Sequence, residues 1–361
     1  MKKMLQVTGL VIGVLVLAAI FYVGGMLLFL KITEYRPKPI EDIAVVGAKT
    51  PIEGTNVISD STFTFLIWNL GYGGLGAEVD FFYDGGKMVT SPKEHVEKNN
   101  RGMVELLKQN QDADFIMLQE ADRNSKRSWR IDQVAEFANA LPEYNYAFAP
   151  NYVVKYVPFP FLDPMGDIYG GIVTYSKHTP VETERVALPN ITDFPRYLVY
   201  LKRCLMLQRY KLASGKDLVI INAHFEAYDA GGLVKKEQRA VTKKKLEAEY
   251  AKGNYVVLGC DWNIAPPGFN VHTWEHKKLT DELYLMNNDS VIVPGWHYVY
   301  DPTTATNRKN ETSYTEGETY KTIIDYYYVS PNIQVDSIHG IDLHFAYSDH
   351  NPVRMKITLK Q

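Results

Sequence analysis

Cysteine is almost missing from this chain: only Cys204 and Cys260 occur in 361 residues. Two lone thiols build no disulfide framework, and two buried free thiols are the expected state. Neither lies near the N-terminus, so lipid attachment there through a cysteine is excluded. A basic excess is also lacking. Lysine and arginine total 39 against 42 acidic residues, and the first 35 positions hold three of the basic residues and one acidic residue, so the remainder is more acidic still. No global charge advertises affinity for a polyanion. Internal repeats and low-complexity tracts are absent, which argues against a repeat array or a disordered chain. With 46% apolar residues the chain has ample material for a packed core, in one large or two ordinary domains.

Charge is missing altogether between Lys3 and Lys31, and Val7 to Leu30 is almost wholly apolar. That run exceeds the ~20 residues needed to span a bilayer. It reads as one transmembrane helix within residues 1–31, a single-pass anchor for the rest of the chain. The rival is a cleaved signal peptide, but the run is longer than a usual signal core and no clear small-x-small cleavage site precedes Lys31. Lys2 and Lys3 on one side face Lys31, Arg36 and Lys38 on the other, so charge does not fix the orientation. A short N-terminal tail favours a C-terminal domain outside the cytoplasm. Residues 32–60 hold Pro37, Pro39, Pro51, Gly47 and Gly54 with little periodicity, and read as a spacer.

From residue 61 to 361 strand-like and helix-like segments alternate. Strands are expected at Phe63–Asn69, Phe115–Gln119, Gly171–Tyr175, Val199–Leu212, Leu218–Ala223, Tyr255–Gly259 and Thr322–Val329. Helices are expected at Pro92–Gln109, Ile131–Leu141 and Lys235–Ala251. This order predicts an α/β domain of packed sheets covered by helices.

Polar residues recur where these strands end. Asn69 closes Phe63–Trp68, Glu120 closes Phe115–Gln119, and His224 closes Leu218–Ala223. Asp261 and Asn263 follow Tyr255–Cys260, and Asp325 sits between Ile324 and Tyr326. One such residue is routinely a cap or turn former; six in the same context point to a shared site. A further case is Ser348-Asp349-His350-Asn351-Pro352-Val353, which sets a carboxylate beside an imidazole. Leu343, Phe345 and Tyr347 alternate before it, and Val353, Met355, Ile357 and Leu359 after it, which predicts a tight turn between two strands. Adjacent acid and imidazole can hold a metal and move a proton.

The ordered set Ile67-Trp68-Asn69-Leu70, Met117-Leu118-Gln119-Glu120, Asn222-Ala223-His224-Phe225, Gly259-Cys260-Asp261-Trp262-Asn263, Ile324-Asp325-Tyr326 and Ser348 to Val353 resembles the endonuclease/exonuclease/phosphatase superfamily, the DNase I-like metal-dependent phosphoesterases. The resemblance implies a four-layer α/β/β/α sandwich with its active site at one edge of two sheets. It also implies roles. Glu120, Asn69 and Asp349 would offer hard oxygens to Mg²⁺, with Mn²⁺ or Ca²⁺ as other fitting cations. His350 would be the base that takes a proton from water, and Asp325 would hold its other ring nitrogen. Asp261 and Asn263 would position the attacking water or assist the leaving oxygen. His224 would donate to a phosphoryl oxygen. The reaction would be in-line hydrolysis without a covalent intermediate.

Other features are weaker. Gly71-Tyr72-Gly73-Gly74-Leu75-Gly76 follows a strand like a phosphate-cradling loop, but the next helix starts only after Pro92, so a flexible loop is expected. His272-Thr273-Trp274-Glu275-His276 has a zinc-helix spacing, yet a zinc site would leave the strand-end residues unexplained. Asn151–Asp167 interleaves Tyr152, Tyr156, Phe159 and Phe161 with prolines. It reads as a long loop packed on its own sheet, with pocket lining or bilayer contact as the functional readings. Arg196, Lys202 and Arg203 are cations that could reach a phosphate.

Three substrate classes compete: nucleic acid, a lipid head group as in a sphingomyelinase-like enzyme, and a soluble phosphoester. The acidic body argues mildly against duplex DNA, and the anchor mildly for lipid. Ile264-Ala265-Pro266 after Asn263, and Ile324 and Tyr326 around Asp325, depart from the inositol 5-phosphatase pattern. A catalytically inactive, membrane-tethered binding module is the reading from another class, and the filled polar positions oppose it. Oligomeric state is left open.

Overall fold

The computed structural model describes residues 2–51, 57–229, 231–274 and 293–360. Its elements, in chain order, are α1 (Lys2–Ile32), β1 (Ile40–Asp42), β2 (Val45–Val46), β3 (Val57–Ile58), β4 (Thr62–Asn69), α2 (Lys93–Gln109), β5 (Phe115–Asp122) and α3 (Gln133–Ala140). Then come β6 (Asn145–Val157), β7 (Gly166–Ser176), β8 (Glu182–Ala187), β9 (Cys204–Leu212), β10 (Asp217–His224), α4 (Leu233–Ala251) and β11 (Tyr255–Asp261). The chain closes with β12 (His297–Val299), β13 (Asn307–Arg308), β14 (Lys321–Thr322), β15 (Asp325–Val329), β16 (Ile333–Gly340) and β17 (Val353–Leu359).

Among the described residues two large sheets form. One runs β1-β8-β9-β10-β11-β15-β12 with β3 added on β9, and the other runs β16-β17-β4-β5-β7-β6-β2. β4 and β5 pair in parallel at the centre of the second sheet, as β10 and β11 do in the first. Strands covered on both faces need apolar residues at every position, which is why Phe65–Trp68 and Val256–Leu258 read as unbroken runs rather than alternations. Phe63, Phe65, Ile67, Phe115 and Met117 meet Leu218, Ile220, Val257 and Tyr327 between the sheets. Behind the second sheet, Leu66, Ile116 and Leu118 pack on Met103, Leu106 and Leu107 of α2 and on Val134 and Phe137 of α3. Behind the first, Val219, Ile221 and Val256 pack with Leu246 of α4. The four layers are therefore helix, sheet, sheet, helix, the sandwich that the resemblance implies.

The helices follow their sequence signals. Pro92 fixes the entry to α2, and Val96, Met103, Leu106 and Leu107 form its buried stripe. Asp132 caps α3, its side chain accepting from the Ala135 N–H at 3.0 Å. In α4, Lys235, Gln238, Thr242, Leu246 and Glu249 bury one face of an otherwise charged helix. α1 is exposed from Lys2 to Gly25, and only Leu30 near its end is buried. It is the one described helix long and apolar enough to cross a membrane, a description a signal sequence also meets.

Several expectations are corrected. Part of the spacer joins the body: β1 pairs with β8, β2 with β6 and β3 with β9. Two- and three-residue edge strands leave no periodic trace in sequence. Tyr152 and Tyr156 belong to β6, so the predicted aromatic loop is mostly a long β6–β7 hairpin, and only residues 158–165 are its connection. Residues 341–349 form turns rather than a strand, because His344 and Phe345 adopt positive φ (49° and 56°), which breaks the extended backbone their alternation suggests. Residues 196–199 form a short 3₁₀ turn, and β9 starts at Cys204. Cys204 and Cys260 are free and buried, as expected.

Candidate active site

Parallel and antiparallel registers bring the polar strand ends to one edge of the sandwich. His224 lies beside Asp261, Asp261 beside Asp325, and Asn69 beside Gln119, while Val353, just past the Asp349-His350 pair, lies beside Ile67. All eight residues singled out in the sequence meet here, and all but Asn69 and Asp325 line a cavity of about 300 Å³. Beneath it the sheets are tied together by polar contacts: Gln119 Nε2 donates to Asn222 Oδ1 at 2.8 Å, and Asn222 Nδ2 donates to the Val173 carbonyl at 3.0 Å. Asn222 is thus a strut under the site.

His350 is held on every side. Its backbone carbonyl accepts from Trp68 Nε1 at 2.8 Å and its N–H donates to Ser348 Oγ at 3.1 Å. Ring Nδ1 is 2.7 Å from Asp325 Oδ2, and Nε2 is 3.0 Å from Asn307 Nδ2 and 3.8 Å from Asp261 Oδ2. This geometry puts the Nδ1 proton against Asp325 and leaves Nε2 facing the cavity. Burial alone would lower the imidazole, but the carboxylates of Asp325, Asp261 and Asp349 outweigh it and push His350 up to about 10. Asp325 is raised by its own burial, and burial plus the Asp325 charge push Asp261 up to about 6.

Asp261 is the hub of the floor. Its Oδ1 accepts from the Asn263 N–H at 2.9 Å, and its Oδ2 accepts from Asn69 Nδ2 at 2.8 Å and lies 3.4 Å from His224 Nε2. Burial, then the Arg203 and His350 cations, hold His224 well below the usual imidazole range, so it is neutral. Asn263 gives its side-chain Nδ2 to the Phe225 carbonyl at 3.0 Å and sits at φ 49°. Glu120 also has positive φ, 51°, and projects from a bulge where the β5–β7 register shifts between Leu118 and Ala121. Bulges re-aim side chains, here off the sheet and into the cavity.

Glu120 and Asp349 form an acidic pole in the lining of the same cavity. Burial and the Asp349 charge raise the Glu120 carboxyl against the pull of Arg127. Two hard carboxylates that repel across a cavity suit a divalent cation. Asp349 is fixed by Asn310 Nδ2 at 2.7 Å from its Oδ2. Asn69 Oδ1 accepts from the Gly71 N–H at 2.9 Å, and its Nδ2 donates to Glu120 Oε1 at 3.1 Å and to Asp261. Asp261, Asp325 and His350 also lie close enough together to surround an ion. A cation there would have to break the 2.7 Å bond between Asp325 and His350, which favours the Glu120–Asp349 pole.

The glycine run has a mechanical role. Gly71 has φ 48°, and a Cβ there would lie 2.7 Å from Asp349 Oδ1. Only glycine lets the backbone turn so close beneath the Asp349-His350 pair. Gly71–Gly73 form a buried 3₁₀ turn in place of the expected flexible loop. In the histidine pair at 272 and 276, Glu275 and His276 lie outside the described residues.

Sequence reasoning missed several lining residues. Arg127 is 6% exposed, paired with Asp122 through two bonds of 3.0 Å, and lies over the Tyr72 ring at 3.8 Å. Nothing in its turn, Asn124-Ser125-Lys126-Arg127, distinguishes it from surface charge. Asn307 of β13, Asn310 and Asp84 reach the cavity from segments distant in sequence. Of the three basic residues considered near 200, Arg203 lines the cavity and pairs with Glu226 at 3.4 Å. Lys202 turns to the Tyr197 carbonyl and Arg196 to that of Tyr228.

A four-layer sandwich with acids, imidazoles and amides converging at one sheet edge defines a DNase I-like hydrolase architecture. The model of the Endonuclease/Exonuclease/phosphatase family matches residues 66–350, and the chain belongs to that family. Its members are hydrolases of phosphoester bonds that generally depend on a divalent metal. Solved structures share the fold. An endonuclease/exonuclease/phosphatase from Beutenbergia cavernae is 19% identical at TM-score 0.56, covering 83% of this chain and 72% of its own. One from Bacteroides vulgatus is 17% identical at TM-score 0.54, covering 83% of this chain and all (100%) of its own. TDP2 of D. rerio, solved with a single-strand DNA product, is 14% identical at TM-score 0.52, covering 83% of this chain and 100% of its own. No curated protein matches in sequence.

Proposed function

We propose that this chain is a membrane-anchored phosphoesterase in which water attacks phosphorus in line, with Glu120 and Asp349 holding Mg²⁺ and His350 serving as the base. The observation that carries the reading is the Asp325–His350 bond of 2.7 Å, in a cavity that Glu120 and Asp349 also line. Bound there, a divalent cation would neutralise phosphoryl charge and offset the carboxylates that face the imidazole. Asp325 fixes the tautomer, Asn69 orients Glu120 and Asp261, and neutral His224 donates from Nε2 toward a phosphoryl oxygen. Asp261, supported by the Asn263 N–H, positions water. Mn²⁺ and Ca²⁺ are alternative hard cations. Residues 61–361 constitute the catalytic domain with the strands of 40–58 stitched onto it, and α1 anchors it with the domain outside the cytoplasm.

A second role for Asp261 is favoured by its carboxyl value near 6, closer to neutrality than that of His350. In that variant Asp261 accepts the water proton and His350 protonates the leaving oxygen. Paired substrates separate the two. If His350 is the base, His350→Gln slows a nitrophenyl ester and an alkyl ester by the same factor. If it is the acid, the nitrophenyl ester, whose leaving group needs no proton, is spared.

The substrate class is tested with plasmid DNA, RNA, sphingomyelin, phosphatidylinositol and bis-p-nitrophenyl phosphate. Mg²⁺-dependent release from at least one is the expected result. Failure on all of them with metal bound would instead identify a tethered binding module.

A further inference from the structure

The foot of α1 and the candidate site share one edge of the sandwich. Lys31 Nζ donates to Tyr197 Oη at 2.9 Å, and Lys202 reaches Glu34 at 3.6 Å, so α1 ends against the segment leading into β9. Leu205 near the start of β9 pairs with Ala223, the neighbour of His224. The turn after β9 lies nine residues along that strand, about 30 Å away at the usual rise.

That same edge carries an apolar rim that the described residues leave uncovered. At the tip of the β6–β7 hairpin, Phe159, Phe161 and Leu162 are 54%, 76% and 93% exposed, and Phe194 beside the α1 foot is 66% exposed. The two patches are continuous through the fold. Val199 and Leu201 pack on Val157, Met165 and Ile168 of the hairpin, and the Phe194 ring lies 6.3 Å from that of Tyr197. The rim also reaches the cavity, since Phe159 lies 6.4 Å from Tyr83, which lines it. Near the tip, Lys126 pairs with Asp163 and Arg130 with Asp167.

From this continuity we infer that the hairpin tip and the Phe194 turn dip into the lipid surface that receives α1, holding the mouth of the cavity at the head-group layer. The occupant is a bilayer because an apolar helix leaves the body at the rim, so a membrane entered by α1 lies against these side chains. The inference rests on α1 being a membrane segment.

Cys204 and Cys260 are fully buried, so a thiol-reactive fluorophore on the full chain labels an introduced cysteine selectively. Single variants Gly13→Cys in α1, Leu162→Cys, Phe194→Cys and Ser214→Cys in the distant β9–β10 turn are reconstituted into phosphatidylcholine bilayers with nitroxide on the acyl chains. Gly13 and Ser214 lie in open positions and the two rim residues are exposed, so folding is preserved. Labels at 13, 162 and 194 are expected to lose most of their emission, and the label at 214 to keep it. Quenching at 13 without quenching at 162 and 194 overturns the inference and leaves the anchor standing. No quenching at 13 removes both. A 162 label indifferent to nitroxide lipid but brightened by dilution with unlabelled chain assigns the rim to a second copy, which also overturns it.

Discussion

Replacing Asp325 by Asn tests the acid–imidazole pair with the smallest change of shape. The Asp325 N–H donates to Thr306 Oγ1 at 3.0 Å, a bond the substitution keeps, and the amide has nearly the shape of the carboxylate it replaces. The substitution removes the charge 2.7 Å from His350 Nδ1. A charge-assisted bond contributes about 1.5–3 kcal/mol to stability. Asn retains a neutral bond, and losing the Asp325 charge relieves its repulsion with Asp261, so the melting temperature should move by a few degrees at most. The rate is far more sensitive, because an amide does not hold the imidazole in one tautomer. Acid–imidazole pairs of this kind lose roughly 10³- to 10⁴-fold on such a change, about 4–5.5 kcal/mol of transition-state stabilisation. Initial rates on the responsive ester, beside a thermal melt, read both quantities. A folded Asp325→Asn protein within tenfold of wild-type rate would refute the reasoning.

Gly71→Ala places a Cβ within 2.7 Å of Asp349 Oδ1 at a positive φ, so it should displace that carboxylate and raise the Mg²⁺ concentration needed for half-maximal rate. An unchanged Mg²⁺ titration would show that Asp349 does not hold the cation. Away from the site, burial pushes Glu249 up, but Arg209, Lys252 and Asn254 outweigh it and hold the carboxyl at about 2. A depressed carboxyl contributes stability above its unfolded value of about 4.3 and loses it as pH falls toward 2. The melting-temperature gap between wild type and Glu249→Gln should therefore be wide at neutral pH and narrow between pH 4 and 2, and a gap independent of pH contradicts the pairing with Arg209.

Legibility from sequence tracks the physical origin of each feature. Asn69, Glu120, His224 and Asp261 stand out because central parallel strands demand unbroken apolar runs, against which a terminal polar residue is conspicuous. The edge strand β16 leaves no such signal, because it exposes Gln334, Asp336, Ser337 and His339 and so lacks a buried run. Leu343, Phe345 and Tyr347 imitate a strand, yet the left-handed backbone at His344 and Phe345 folds them into a turn. The hydrogen-bond partners of Asn69 are not legible, because residue type does not reveal which amide atom the Gly71 N–H will claim. Arg127, in a turn, and Asn307, in the two-residue strand β13, owe their places to segments that fold in from a distance, which leaves no local pattern.

The central claim is that the Glu120–Asp349 pole and His350 together hydrolyse a phosphoester with a divalent cation. Product release by the full chain, stripped with EDTA and resupplied with Mg²⁺, tests it most directly when Glu120→Ala is run alongside. Turnover should vanish with EDTA, return with Mg²⁺ in the wild type, and stay absent in Glu120→Ala. Turnover that persists in EDTA, or in folded Glu120→Ala, would contradict the account.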